Sequence, residues 1–327
     1  MIEIAVIGAG LTGITISSLL KKKVKLCIFE KSRGVGGRIA TRRAEPYQFN
    51  HGAQYFKIEN KEFKDFLNPL IRNNIIKPWK ANHIEIENKL VIKRIKINNN
   101  KYFAGFPAMN SIVKYLATND FFIKLSCKIV KIEQALNKWY IIDSDSACYG
   151  PYDWIIFTIP PNQVSEILCK KFKYLDIIKT IKMKSCFSLM LGYNEIKKFN
   201  FDTALFLDED IQWLSNNRKY FKDREYNNLL INSSYNFAKK NINSCKEKIS
   251  DYLLNKASDI LNYKFNNYDH MALHFWKYAT SENRNDYGSF IDANSKIIVC
   301  GDWCMNGKVE GAFLSAKNAV NKFLNHI

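Results

Sequence analysis

The sequence predicts an α/β fold: a nucleotide-binding domain built on parallel strands, with an α+β domain inserted into it. Two observations carry that expectation. The chain begins with an apolar strand that runs through a glycine-rich turn into a helix, and it ends with a strand, a Gly-Asp step and another helix. First and last segments that share one ligand require a discontinuous domain, so the stretch between them holds the second one.

Taken in order, Glu3-Ile-Ala-Val-Ile7 reads as a strand and leads into Gly8-Ala-Gly10-Leu11-Thr12-Gly13. An apolar helix pattern follows through Leu20, and a second apolar strand, Val24 to Phe29, ends on Glu30. This is the β-turn-α-β layout of a dinucleotide site. Gly8 permits the tight turn, Gly10 lets backbone approach a pyrophosphate, and Gly13 lets the helix pack close to the strand. The helix N-terminus, with its unpaired N–H groups, favours the phosphates. Glu30 can accept hydrogen bonds from ribose hydroxyls and would repel a 2′-phosphate.

Directly after that strand comes Lys31-Ser-Arg-Gly34-Val-Gly36-Gly37-Arg38. A second glycine cluster adds little to a nicotinamide site. It suits the extended flavin dinucleotide FAD, which needs further close backbone approach and a cation near its phosphates.

Glu30-Lys31 with Gly36-Gly37-Arg38 resembles the motif of the flavin amine-oxidase superfamily. The run Lys31 to Arg43 and Phe49-Asn-His51-Gly52-Ala53-Gln54-Tyr55-Phe56 resemble its bacterial renalase-like branch more closely. So do Cys300-Gly301-Asp302-Trp303-Cys304 and Lys308-Val309-Glu310-Gly311-Ala312-Phe313-Leu314-Ser315. The resemblance implies a Rossmann-type FAD-binding domain with an inserted substrate domain, in the amine-oxidase and p-hydroxybenzoate-hydroxylase-like two-domain plan. It implies non-covalent FAD, a small-molecule hydride donor and O2 as partners. The implied activity is oxidation of isomeric dihydronicotinamide dinucleotides to β-NAD(P)+, with H2O2 as the second product. Other donors used across the superfamily, amines and polyene- or porphyrinogen-like rings, form the alternative; a non-catalytic basic flavoprotein binding RNA or a partner is a second one. Val35, Asn50, Ala108 and Ala316 stand where these relatives usually have Pro, Asp, Gly and Gly. Of these, Asn50 is the one expected to alter chemistry, by removing a charge near the ring.

The expected division is 1–57, 105–170 and 291–327 for the FAD domain, with 58–104 and 171–290 in the substrate domain. Lys61–Asn73 has helical apolar spacing, closed by Pro78, and Ile84–Ile97 alternates as a strand. Met109–Ala117 reads as a helix, leading to a strand over Cys127–Gln134. In the family, the strand matching the latter lies against the adenine through backbone near Val130. Asp153 to Pro161 reads as a buried parallel-type strand stopped by prolines, Pro160 first. Ser185–Tyr193 and Ala272–Tyr278 read as strands and Cys245–Leu261 as a helix. Alternation puts His274, Trp276 and Tyr278 on one face, with Lys277 opposite. That run resembles the family's His-x-Trp-x-Tyr-Ala strand.

The closing strand, Lys296–Cys300, precedes Gly301-Asp302 and a helix over Gly311–Leu324. Asp302 can bond a ribityl or phosphate-proximal group, Gly301 allows approach, and the helix N-terminus can face the flavin edge where negative charge develops. Val309, Glu310, Gly311 and Ala312 fall at that N-terminus, Glu310 as a capping or positioning residue. Gly52-Ala53-Gln54-Tyr55 should run beside the ring. His51, Gln54, His274, Trp276, Tyr278 and Trp303 are the candidates for the substrate side, with His274 orienting a polar group.

Composition narrows the classes. No apolar run is long enough to cross a membrane, and the N-terminus enters a strand without a signal-peptide pattern, so a cytoplasmic setting is the expectation. Eight cysteines, at 27, 127, 148, 169, 186, 245, 300 and 304, form no CxxC and no zinc spacing. The net charge of +18 is spread along the chain with heavy Asn and Ile usage, so no nucleic-acid partner is expected.

Overall fold

The Glu3–Ile7 strand lies inside a six-stranded sheet, in the order Phe122–Lys124, Lys25–Phe29, Glu3–Ile7, Trp154–Phe157, Ile297–Val299, Phe290–Asp292. All neighbours are parallel except the last pair. The computed structural model describes residues 1–98, 100–117, 121–168, 172–194, 199–216 and 226–327. Cys169 lies outside the described residues; the other seven cysteines are free thiols.

The central strand is an unbroken apolar run because both of its faces are covered. Ile4 and Val6 meet the first helix, Leu11–Leu20, and the last, Lys308–Leu324, through Ile14, Phe313, Ala316 and Phe323. Ala5 and Ile7 meet Trp139, Ile141, Val164 and Ile178 on the other side. That side is roofed by a three-stranded meander, Ile129–Ala135, Lys138–Asp143 and Cys148–Tyr152, which forms the crossover into Trp154–Phe157.

A seven-stranded sheet forms the second domain, in the order His270–Ser281, Met183–Tyr193, Asn227–Ser233, Ile211–Asn216, Thr203–Phe206, Ala81–Glu87, Leu90–Ile97. Its outer face buries Leu189, Ile231, Leu214 and Ile84 against the helix Lys246–Leu261, whose Ile249, Leu253, Ala257 and Ile260 repeat at helical spacing. Its inner face looks toward the first domain. Among the described residues no helix is long and apolar enough to cross a membrane.

Several expectations change. Residues 58–104 do not all join the second sheet: the helix Lys61–Arg72 and the strands Ile76–Pro78 and Tyr102–Gly105 pack into the core around Ile4 and Val6, through Phe63, Leu67, Ile76 and Phe103. Only the Ala81–Ile97 stretch joins the large sheet, and it is a hairpin rather than one strand. Its turn, Asn88-Lys89, takes the left-handed conformation at both residues (φ 48° and 63°) without the glycine that usually marks such a turn. The helix from Lys61 does end where expected, at Arg72 with Asn73 as its cap; Asn74 turns left-handed (φ 57°) and breaks it before Pro78 is reached. The last helix begins at Lys308, earlier than expected, so Val309, Glu310 and Gly311 all lie in its first turn.

Candidate active site

The two glycine runs lie side by side. Gly8 turns the chain with φ 108° while its N–H donates to the Phe29 carbonyl at 2.8 Å. A Cβ on Gly13 would stand 2.1 Å from the Gly8 carbonyl oxygen, so helix and strand touch there. At Gly10 a Cβ would meet no protein atom within 4 Å, so this glycine faces open space at the helix N-terminus. Gly36 donates to the Ala9 carbonyl at 2.9 Å and bridges Gly10, and a Cβ on Gly37 would come within 3.4 Å of the Gly10 Cα. The helix N-terminus at Gly10, open above and bordered by Gly36 and Gly37, fits a pyrophosphate.

The polar side chains round this cradle are engaged with the protein. Glu30 is buried, and its carboxylate accepts from the Ala9 and Ser32 amides at 2.8 Å each. It therefore fixes both turns, in addition to any ribose it meets. Lys31 is exposed, Leu11 and Thr12 are buried, and the Thr12 hydroxyl donates to the Ala312 carbonyl at 3.3 Å. Arg38 and Asp302 face each other: the guanidinium donates to both carboxylate oxygens, at 2.8 and 2.5 Å, and approaches the Ala279 carbonyl at 3.5 Å. Glu310 turns away from the helix axis to accept from the Glu59 and Asn60 amides at 2.8 and 3.0 Å, which makes it a positioning residue for the neighbouring helix.

Other glycines answer packing. A Cβ on Gly52 would meet the Arg38 carbonyl at 2.0 Å, one on Gly301 the Trp303 indole nitrogen at 2.6 Å, and one on Gly311 the Met305 carbonyl at 2.1 Å. Val130 is the extra residue of a bulge between Ile129 and Lys131; it is exposed and its backbone falls outside the regular ladder. Pro160 is half-buried and caps the short helix Pro161–Ile167. Asn50 is buried and pins the loop, its amide oxygen accepting from the Thr41 hydroxyl (2.8 Å) and the Met109 amide (3.1 Å).

Opposite the cradle, sheet register sets a row of side chains on the inner face: His274, Ser188, Asn232 and Trp213, cross-strand neighbours in succession. Above them sits the His51–Tyr55 run. The His51 ring lies 4.9 Å from His274 and 5.0 Å from Trp276. Gln54 accepts from the Trp213 indole N–H at 3.2 Å, and Tyr55 stacks on Trp79 at 4.1 Å. Two expected site residues do not join this group. Trp303 is fully buried, its indole N–H donating to the Ile159 carbonyl at 3.1 Å, and it packs in the core behind the sheet. Its aromatic surface is spent on the fold. Tyr278 falls in the irregularity where residues 277–279 face one residue of the neighbouring strand, and the Lys277 ammonium lies 5.4 Å from its ring.

Asn232, Ser188 and Trp213 were not foreseen. The alternation Asn228, Leu230, Asn232 against Leu229, Ile231, Ser233 is the signal that places Asn232 on a polar inner face. The Asn232 side-chain oxygen is shut from solvent and has no hydrogen-bond partner among the described residues, as is His51 Nδ1. Burial, with the neighbouring His274, lowers His51 from 6.5 to about 4; burial and then Arg42 lower His274 to about 4. Both rings are neutral at physiological pH. Between pH 6.5 and about 4 the unfolded chain takes up protons that folded His51 refuses, so stability falls as pH drops through that window. The loss is on the order of 3 kcal/mol from His51 alone. Melting temperatures recorded from pH 7 to 4 check this, with His51→Gln expected to flatten the curve.

Residues 6–70 match the model of the NAD(P)-binding Rossmann-like domain. Renalase of Mus musculus is 26% identical over 179 residues, 51% of this chain and 49% of that protein. The chain is thus similar to renalase over about half its length. Uncharacterized protein 101L of Invertebrate iridescent virus 6 is 27% identical over 144 residues, 42% of this chain and 55% of that one. The matches thus span about half the length of these curated relatives. Among solved structures, a putative protoporphyrinogen oxidase from Exiguobacterium sp. 255-15 superposes with a TM-score of 0.81 at 8% identity, covering 100% of this chain and 99% of that one. A triple mutant of putrescine oxidase gives 0.72 at 11% identity, covering 99% of each chain. An oxidoreductase from Methanosarcina mazei gives 0.73 at 13%, covering 99% of this chain and 100% of that one. The chain therefore has the mixed α/β, two-domain fold of these structures.

Proposed function

We propose that this chain is an FAD-dependent oxidoreductase that oxidises isomeric dihydronicotinamide dinucleotides to β-NAD(P)+. The observation that carries the reading is an uncharged polar surface facing a dinucleotide cradle. The side chains gathered there (His51, Gln54, Ser188, Asn232, His274 and Trp276) are all neutral, and Arg42 lies near enough to lower His274. A cationic amine finds no counter-ion in that group and is repelled by Arg42. A neutral ring bearing a carboxamide finds donors and acceptors.

The residues that would hold FAD are those of the cradle. Gly8, Gly10, Leu11, Thr12, Gly13, Gly36, Gly37 and Arg38 take the pyrophosphate, with Lys31 beside it. Glu30 takes the adenosine ribose, and Val130 backbone the adenine. Pro160, Gly301 and Asp302 line the far end. Gly52, Ala53, Gln54 and Tyr55 flank the ring, with Val309, Glu310, Gly311 and Ala312 at the helix N-terminus beyond. Bound FAD supplies the hydride acceptor and, on reoxidation, two electrons that with two protons convert O2 to H2O2. The protein's own part is orientation: His274 and Asn232 hydrogen-bond the donor's polar group, and His51 and Trp276 wall the pocket against water.

Anaerobic mixing of the yellow protein with ordinary β-NADH and with a chemically scrambled isomer mixture tests this. Rapid bleaching by the isomers alone is expected. Bleaching by neither overturns the proposed donor and directs the search to amines and porphyrinogen-like rings.

A further inference from the structure

We infer that Trp276 and Ser188 are positioning residues that clamp the His51 carbonyl, and through it the Gly52–Tyr55 run, to the substrate sheet. The inference rests on the reading above that this run flanks the flavin ring. The His51 carbonyl accepts twice, from the Trp276 indole N–H at 2.9 Å and from the Ser188 hydroxyl at 3.1 Å. Both of its lone pairs are used. The two donors come from adjacent strands, where Trp276 pairs with Cys186 and His274 with Ser188.

The next residues are held from the opposite side. The Ala53 amide donates to the Arg38 carbonyl at 2.9 Å, while Gly52 has that same carbonyl where its Cβ would be and the Trp276 ring 3.4 Å away. Gly52 is thus pinched between the glycine-rich cradle and the substrate sheet. The Arg38 guanidinium reaches Ala279, three residues beyond Trp276 on the same strand. Strand His270–Ser281 and the run beside the ring consequently move as one body. The Trp276 indole acts here through the backbone of His51, so its N–H is not free to bond a substrate.

A carbonyl that keeps one donor remains satisfied, so losing either donor costs little and losing both costs more than the sum. The test uses the purified flavoprotein with Ser188→Ala, Trp276→Phe and the double variant. Amide hydrogen exchange at residues 51–54 is expected to rise less than about threefold in each single variant and about tenfold or more in the double. With the isomer mixture as donor, the limiting rate of flavin bleaching is expected to fall by about tenfold in the double variant and by less than about threefold in either single one. Additive effects, or unchanged exchange in the double variant, overturn the clamp. Exchange needs no donor, so a failure of bleaching in every protein counts against the proposed reaction and leaves the clamp to be decided by exchange. Should the double variant not fold, Ser188→Ala with Trp276 replaced by its benzothiophene isostere removes both donors at constant volume.

Discussion

Gly13→Ala is expected to be destabilised by about 1–3 kcal/mol, the usual cost of forcing a methyl into a packed contact, and to lose almost all of the FAD proposed to bind above it. The added carbon would lie 2.1 Å from the Gly8 carbonyl oxygen and 2.9 Å from the Thr158 hydroxyl, and neither has room to retreat. The helix must lift off the strand, and with it the N–H groups aimed at the phosphates. Gly10→Ala is the contrasting control. Its Cβ meets no protein atom within 4 Å and its backbone is extended, so stability falls by only about 0.5 kcal/mol, the difference between Gly and Ala at a helix cap. Flavin content is expected to fall as steeply as in Gly13→Ala, because the methyl enters the space proposed for the pyrophosphate. Thermal melts together with the ratio of flavin to protein absorbance separate the two. Unchanged flavin content in Gly10→Ala would show that the open space at Gly10 is not a ligand site.

Arg38→Met is expected to cost about 2–4 kcal/mol and to lower FAD affinity by at least about a hundredfold. The Asp302 side chain is only 11% exposed, so losing its partner leaves a carboxylate unpaired out of water. Arg38→Lys restores little, since one ammonium cannot span both oxygens as the guanidinium does. The double variant Arg38→Met with Asp302→Asn should recover part of the stability but none of the affinity. A double-mutant cycle on urea midpoints, run beside FAD titrations, measures the two quantities separately. A double variant no more stable than Arg38→Met would assign the loss to the Arg38 side chain's packing instead of its charge.

The first thirty residues were the most legible part of the chain, because turn geometry, helix entry and strand patterning are local. Gly8, Gly10, Gly13 and Glu30 announce themselves by spacing. The strand alternation of His274 and Trp276 was legible for the same reason, and their rings do meet His51. What could not be read was who meets whom across the sequence. Arg38 and Asp302 were each assigned to the ligand, and the fold pairs them across 264 positions. Trp303 sits beside Asp302 in a motif and could have pointed either way; only the packing around Phe290 and Ile159 sends it into the core. Asn232 was missed because its face depends on register with Ser188 and Trp213, a property of three strands together. The Asn88-Lys89 turn hid because asparagine can adopt the left-handed conformation without a glycine to flag it.

The parallel sheet has a timetable. Its nucleotide turn is made long before its last strand, and the strand Trp154–Phe157 receives its far neighbour only when Ile297–Val299 appears. The helix that covers Ile4 and Val6, and whose Ala312 carbonyl takes the Thr12 hydroxyl, comes later still. At ordinary translation speeds the strand Glu3–Ile7 waits roughly 15–60 s with the face that carries Ile4 and Val6 covered only by the earlier elements. Its sheet closes by contacts of very high sequence separation, which form slowly. Ribosomes stalled before residue 297 should accumulate aggregation-prone chains, however well the inserted domain has already folded.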